Sequence, residues 1–81
     1  MKHLQGGTAV ITGAASGFGL EAARIAARLG MKIVMADVQP DALELASHEI
    51  ATLGAEVLAQ RTDVSRAADV EALGAATLQR F

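Results

Sequence analysis

The stretch TGAASGFG at residues 12–19 constrains this 81-residue chain more than any other. It follows a short apolar, β-branched run (Thr8, Ala9, Val10, Ile11) and leads directly into a helical pattern. A strand, a glycine-rich turn and a helix in that order form the setting of a phosphate-binding loop. A helix N-terminus leaves backbone N–H groups unpaired and carries about half a unit of positive charge, which suits a pyrophosphate. Glycines let the chain turn sharply and let a ligand approach without a Cβ in the way. Gly13, Gly17 and Gly19 give the spacing G-x-x-x-G-x-G, which differs from the general dinucleotide fingerprint G-x-G-x-x-G. Gly13 and Gly19 are expected to leave no room for a larger side chain. A tight βα turn without a ligand has the same composition, so the loop alone does not decide between the two.

The remaining pattern repeats the same grammar. Residues 1–7 read as a polar lead-in, with Gly6-Gly7 marking a turn. The first strand, about residues 8–12, is nearly continuous in apolar character, which predicts burial on both faces as in a parallel sheet. A helix follows from residue 16 or 17 to 29, with Phe18, Ala22, Ile25 and Leu29 at helical spacing. Gly30 stands where a left-handed C-cap belongs. The second strand, residues 32–36, ends at Asp37, and Pro40 and Asp41 open the next helix. Leu43, Ala46, Ile50 and Leu53 form its apolar stripe before Gly54 ends it. A third strand, about residues 56–61, precedes Thr62-Asp63-Val64, and Ser65 is placed to cap a last helix over residues 66–81. Val70, Leu73, Thr77 and Phe81 line one side of that helix, beside the small Gly74 and Ala76.

Three strands alternating with three helices call for parallel pairing and right-handed crossovers. The expected fold is α/β, a Rossmann-like half with strand order 3-2-1 belonging to a doubly wound sheet. The paired motifs Leu29-Gly30 with Asp37-Val38, and Leu53-Gly54 with Asp63-Val64, are read as βα grammar rather than a solenoid repeat.

Composition narrows the partners. Hydrophobic residues make up 52% of the chain, yet many are alanine and only Phe18 and Phe81 are aromatic, so helices must lie close on the sheet. A net charge of −2, with no basic stripe or aromatic platform, argues against nucleic acid. The absence of cysteine excludes disulfides and thiolate metal sites and suits a reducing, cytoplasmic setting. His3 and His48 are far apart and read as surface residues, so no metal site is expected. Residues 6–20 carry no charge, but glycines break the run, and no stretch approaches the ~20 apolar residues of a membrane span.

With Thr12 in front, the loop spacing resembles that of the short-chain dehydrogenase/reductase family. The resemblance implies that the glycines bend beneath the pyrophosphate of a nicotinamide dinucleotide. The backbone of Ser16, Gly17, Phe18 and Gly19 would contact that group. The family more often carries Ile or Leu where Phe18 stands, and the contact there is mainly through backbone. Asp37 ends the second strand, where ligands of such sheets bind. A carboxylate there can accept both ribose hydroxyls of an adenosine and repels the extra phosphate of NADP; equally, Asp often starts a turn, here before Pro40. Family members that prefer NADP tend to place a base beside the loop or just after this strand. Those positions hold Ser16 and Val38, so NAD is expected over NADP. At the third strand end, the resemblance implies that Asp63 accepts from the adenine amino group and that Val64 offers its backbone to the ring. Read from the residues alone, Asp63 serves equally well as a turn acid or a helix cap.

The family's chemistry relies on a Tyr-x-x-x-Lys pair assisted by Ser and Asn. This chain has no Tyr and no Asn, and its only lysines are Lys2 and Lys32. No catalytic residue therefore carries over. Residues 1–81 are expected to be the amino-terminal, cofactor-binding part of a dinucleotide-binding domain, ending before the catalytic region. The whole protein would be an oxidoreductase acting on a small-molecule alcohol or carbonyl, and a homo-oligomer, while these residues alone would be inactive. Two other readings stand beside it: a nucleotide-binding or sensing module without catalysis, and a structural piece with a vestigial loop.

Overall fold

The computed structural model describes residues 7–81; the lead-in of residues 1–6, with His3, lies outside the described residues. Six elements alternate: β1 (Thr8–Thr12), α1 (Gly17–Arg28), β2 (Lys32–Asp37), α2 (Pro40–Ala51), β3 (Val57–Arg61) and α3 (Ala67–Arg80). The strands form one parallel sheet in the order β1-β2-β3, the expected adjacency. Its register pairs Thr12 with Ala36 and Asp37 with Arg61, so all three strands end at one level. The β3 boundary lies one residue later than expected, although the Glu56 carbonyl still accepts from the Ile33 N–H at 2.9 Å.

β2 organises the interior because, among the described residues, it alone has a strand on each side. Its residues alternate between the two faces. Ile33 and Met35 join Ala23 and Ala26 of α1 and Leu43, Ala46 and Ile50 of α2 on one face. Val34 and Ala36 meet Leu73 of α3 on the other, with Leu58 and Phe81 alongside. A chain that steps twice in one direction by right-handed crossovers must place both helices on one face. α3 packs on the opposite face. Truncating a fully buried side chain such as Ile50 to alanine costs about 2–5 kcal/mol, a large share of a small domain's stability.

Four expectations about burial need correction. β1 is not buried on both faces: Val10 shares a face with its register partner Val34, but α3 covers that face over β2 and β3 and leaves Val10 52% exposed among the described residues. The α1 stripe of Phe18, Ala22, Ile25 and Leu29 is exposed, and Ala23 and Ala26 face the core instead. The helix approaches the sheet through alanines, which turns its larger residues toward the open side of β1. There Val10, Ile11, Ala22, Ile25 and Leu29 line an apolar groove of about 360 Å³. In α2, Leu43, Ala46 and Ile50 are buried as expected, whereas Leu53 falls in the following turn and is half exposed. In α3 only Leu73 of the expected stripe is fully buried; Val70 is half exposed, and Thr77 and Phe81 are half-buried.

Gly30 and Gly54 take positive φ (76° and 89°) at the ends of α1 and α2, as their position predicted. α1 and α2 are also tied at the surface. Arg24 donates through Nε and Nη2 to the two carboxylate oxygens of Glu49, and through Nη1 to Glu21 at 3.1 Å. The guanidinium holds the Glu49 carboxyl below its ordinary range.

Candidate functional site

The ends of β1, β2 and β3 meet in a shallow cavity of about 200 Å³ lined by Thr12, Gly13, Ala36, Asp37, Val38, Thr62, Asp63 and Val64. Aligned parallel strands place these residues together, although Thr12 and Val64 are 52 positions apart in sequence. Ser16, Gly17, Phe18 and Gly19 continue from this rim into the start of α1. The apolar groove beside β1 is larger but lacks converging polar groups, which a nucleotide needs.

The loop's shape depends on its glycines in two different ways. Gly13 and Gly17 adopt φ of 63° and 59°, a conformation other residues rarely take, with open space where a Cβ would lie. The expectation that Gly13 lacks room is therefore corrected: its restraint is conformational. Gly19 is the crowded position. A Cβ there would lie 2.0 Å from the Gly13 carbonyl oxygen, so α1 rests directly on the turn that precedes it. Ser16 is the N-cap of α1 in an extended conformation and makes no side-chain capping bond. The first N–H groups of α1 thus lack a side-chain cap and are oriented along the helix axis. Phe18 follows with its side chain 96% exposed.

Asp37 faces the loop. Its Oδ2 accepts from the Ala15 N–H at 3.0 Å, and its Oδ1 accepts from the Gln39 N–H at 3.1 Å. The second bond is the turn-forming role read from sequence; the first, across 22 positions, had no sequence signal. The neighbouring Ala14 N–H donates to the Ala36 carbonyl at 3.1 Å, and Ala14 is fully buried. Val38 is half exposed at the rim.

Asp63 is held differently. Its Oδ1 accepts from both the Ser65 hydroxyl (2.6 Å) and the Ser65 N–H (3.0 Å). The Ser65 hydroxyl and N–H hold the Asp63 carboxyl below its ordinary range, with Arg66 and Arg61 adding attraction. Ser65 therefore does not cap α3. Arg66 occupies the N-cap without a side-chain bond, and Asp69 in the first turn reaches back to accept from the Asp63 N–H at 2.9 Å. Asp69 was missed in the sequence, where an acid in a first helical turn signals only a favourable dipole contact. Thr62 is buried, donating its hydroxyl to the Gln60 carbonyl and its N–H to the Asp37 carbonyl at 2.8 Å. Val64 is exposed beside it. Arg61, the register partner of Asp37, is a base near the rim that strand pairing alone reveals; its guanidinium lies 4.0 Å from Asp69.

Fold and strand-end cavity together define a Rossmann-like α/β protein. The short chain dehydrogenase family matches residues 7–81, and the chain belongs to that family. It is 46% identical over 71 residues to 1-deoxy-11-beta-hydroxypentalenate dehydrogenase of Streptomyces exfoliatus, covering 88% of this chain and 26% of the relative. Among solved structures it resembles a short chain dehydrogenase/reductase from Burkholderia phymatum in complex with NAD, with TM-score 0.94 and 49% identity, covering 98% of this chain and 28% of that one. It also resembles L-sorbose reductase from Gluconobacter frateurii complexed with NADPH and L-sorbose, with TM-score 0.92 and 34% identity, over 96% of this chain and 30% of that one. The chain spans about a quarter of the length of the curated relatives it matches. No helix of the described residues is long and apolar enough to cross a membrane.

Proposed function

We propose that residues 1–81 form the amino-terminal, cofactor-binding part of a nicotinamide-dependent oxidoreductase, and that they bind NAD in preference to NADP. The observation that carries this reading is the convergence of the three strand ends and the glycine-rich turn on one rim. The pyrophosphate lies over Gly13, Ser16, Gly17, Phe18 and Gly19, where the start of α1 offers N–H groups and positive potential. The adenosine ribose lies against Asp37 and Val38, and the adenine against Asp63 and Val64. The NAD-bound relative supports the cofactor class, and the NADPH-bound one leaves the preference to this chain's own residues. Asp37 decides it: a carboxylate accepts ribose hydroxyls and repels a 2′-phosphate.

The whole protein transfers hydride between the cofactor and a small-molecule alcohol or carbonyl, and the groups that move its proton lie outside these residues. The unpaired side of β1 and the apolar groove along it support a larger sheet. So does the switch of α3 to the opposite face, since a right-handed crossover from α3 leads back past β1. Expressed alone, residues 1–81 self-associate through that edge and give no turnover. Titrating the protein with NAD and NADP tests the reading. NAD should bind more tightly; equal affinities would remove the role given to Asp37, and no binding of either would remove the proposal.

A further inference from the structure

We propose that Asp37 is a positioning residue for the glycine-rich loop, holding it in the shape that receives a diphosphate, in addition to contacting a ribose. This rests on the reading of the loop as a diphosphate site. Two successive loop amides are tied to the end of β2: Ala14 N–H to the Ala36 carbonyl at 3.1 Å, and Ala15 N–H to Asp37 Oδ2 at 3.0 Å. The first tie is backbone only. The second is the sole side-chain hydrogen bond to residues 12–19 among the described residues. The Gln39 N–H steadies the carboxylate from behind through Oδ1 at 3.1 Å, which aims Oδ2 at the loop. Between these ties and Gly19, which abuts the Gly13 carbonyl, the turn at residues 13–16 is fixed from both sides. Asp37 also turns the Ala15 N–H toward β2, leaving the amides at the start of α1 as the diphosphate donors.

The consequence has a sign that separates it from a purely electrostatic role. Removing a negative charge beside an anion site should strengthen anion binding. Removing a brace should weaken it. Inorganic pyrophosphate, which has no ribose, is the probe, and Asp37→Ala and Asp37→Asn are the variants. Both remove the charge, but asparagine keeps an oxygen that can accept from Ala15. Pyrophosphate affinity should fall about tenfold in Asp37→Ala and largely recover in Asp37→Asn, the size of one hydrogen bond to a charged group. Without ligand, the Ala15 amide should exchange with solvent about tenfold faster in Asp37→Ala, and near the original rate in Asp37→Asn. Unchanged exchange at Val34, in the centre of the sheet, marks an intact fold. Unchanged Ala15 exchange, or pyrophosphate binding as tight or tighter in Asp37→Ala, would overturn the positioning role. If the unmodified protein binds no pyrophosphate, the diphosphate reading falls, and the exchange rates alone decide whether Asp37 braces the loop.

Discussion

Asp37-Val38 and Asp63-Val64 look interchangeable in the sequence, each closing a strand before a helix, but the fold uses them differently. Asp37 reaches across 22 positions to the Ala15 amide, whereas Asp63 turns onto Ser65, two residues away. Asp37 therefore joins two parts of the rim, and Asp63 shapes only its own turn. The difference follows from the sheet. β2 is central and its end abuts the loop after β1, while β3 is an edge whose end abuts the start of α3. A strand-end aspartate gains reach from the neighbours its strand has. Losing Asp37 should therefore disturb more of the site than losing Asp63.

The largest effect is expected at the loop that Asp37 faces. Gly19→Val forces a branched side chain against the Gly13 carbonyl, so NAD affinity should drop more than about 100-fold, roughly 3 kcal/mol. Calorimetry alongside circular dichroism separates lost binding from lost helix. Retained affinity would place the pyrophosphate elsewhere.

Next comes Asp37 itself. Changing Asp37 to Ser together with Val38 to Arg should reverse the NAD-to-NADP preference. The shift is about 1–3 kcal/mol, or roughly 5- to 150-fold in the ratio of the two dissociation constants. Total affinity for both cofactors should fall, because the Ala15 tie is lost as well. A reversal with undiminished affinity would leave Asp37 with a ribose role only.

Asp63→Ala should cost less, about 0.5–1.5 kcal/mol or roughly 2- to 12-fold in NAD affinity, the net worth of one hydrogen bond. The loss should vanish with the hypoxanthine analogue of NAD, which lacks the adenine amino group. An equal loss with both ligands would assign Asp63 to the turn and not to adenine.

The smallest effect concerns protonation. Ser65→Ala removes the hydroxyl that does most to depress the Asp63 carboxyl, so its midpoint should rise toward the ordinary 3.8. Since the folded-state value is depressed, the associated stability is present above about 3.8 and lost as pH falls through the folded midpoint. Titration followed by NMR reads this directly, and an unmoved midpoint would shift the cause to the Ser65 N–H, with Arg66 and Arg61 behind it.

The sequence made the six elements and their order legible because glycine and proline punctuate them and each strand is a compact apolar run. It misjudged two faces, for physical reasons. The apolar run of a five-residue β1 does not reveal whether a helix covers its second face. The stripe of Phe18, Ile25 and Leu29 is more hydrophobic than the Ala23 and Ala26 face that enters the core, because close helix-to-sheet approach favours small residues. The candidate site residues were legible as loop and strand-end positions. Their connections were not, since the Asp37 to Ala15 tie, the Asp69 brace and the nearness of Arg61 arise from register and helix placement.

A nicotinamide dinucleotide should lie across the strand ends and not in the apolar groove beside β1. Amide-resolved NMR during titration with NAD tests it most directly, because it reports both regions at once. The amides of Gly13, Gly17, Gly19, Val38 and Val64 should shift together with one affinity, while those of Val10, Ile25 and Leu29 stay in place. Shifts centred on Val10, Ile25 and Leu29, with the strand ends unmoved, would contradict it.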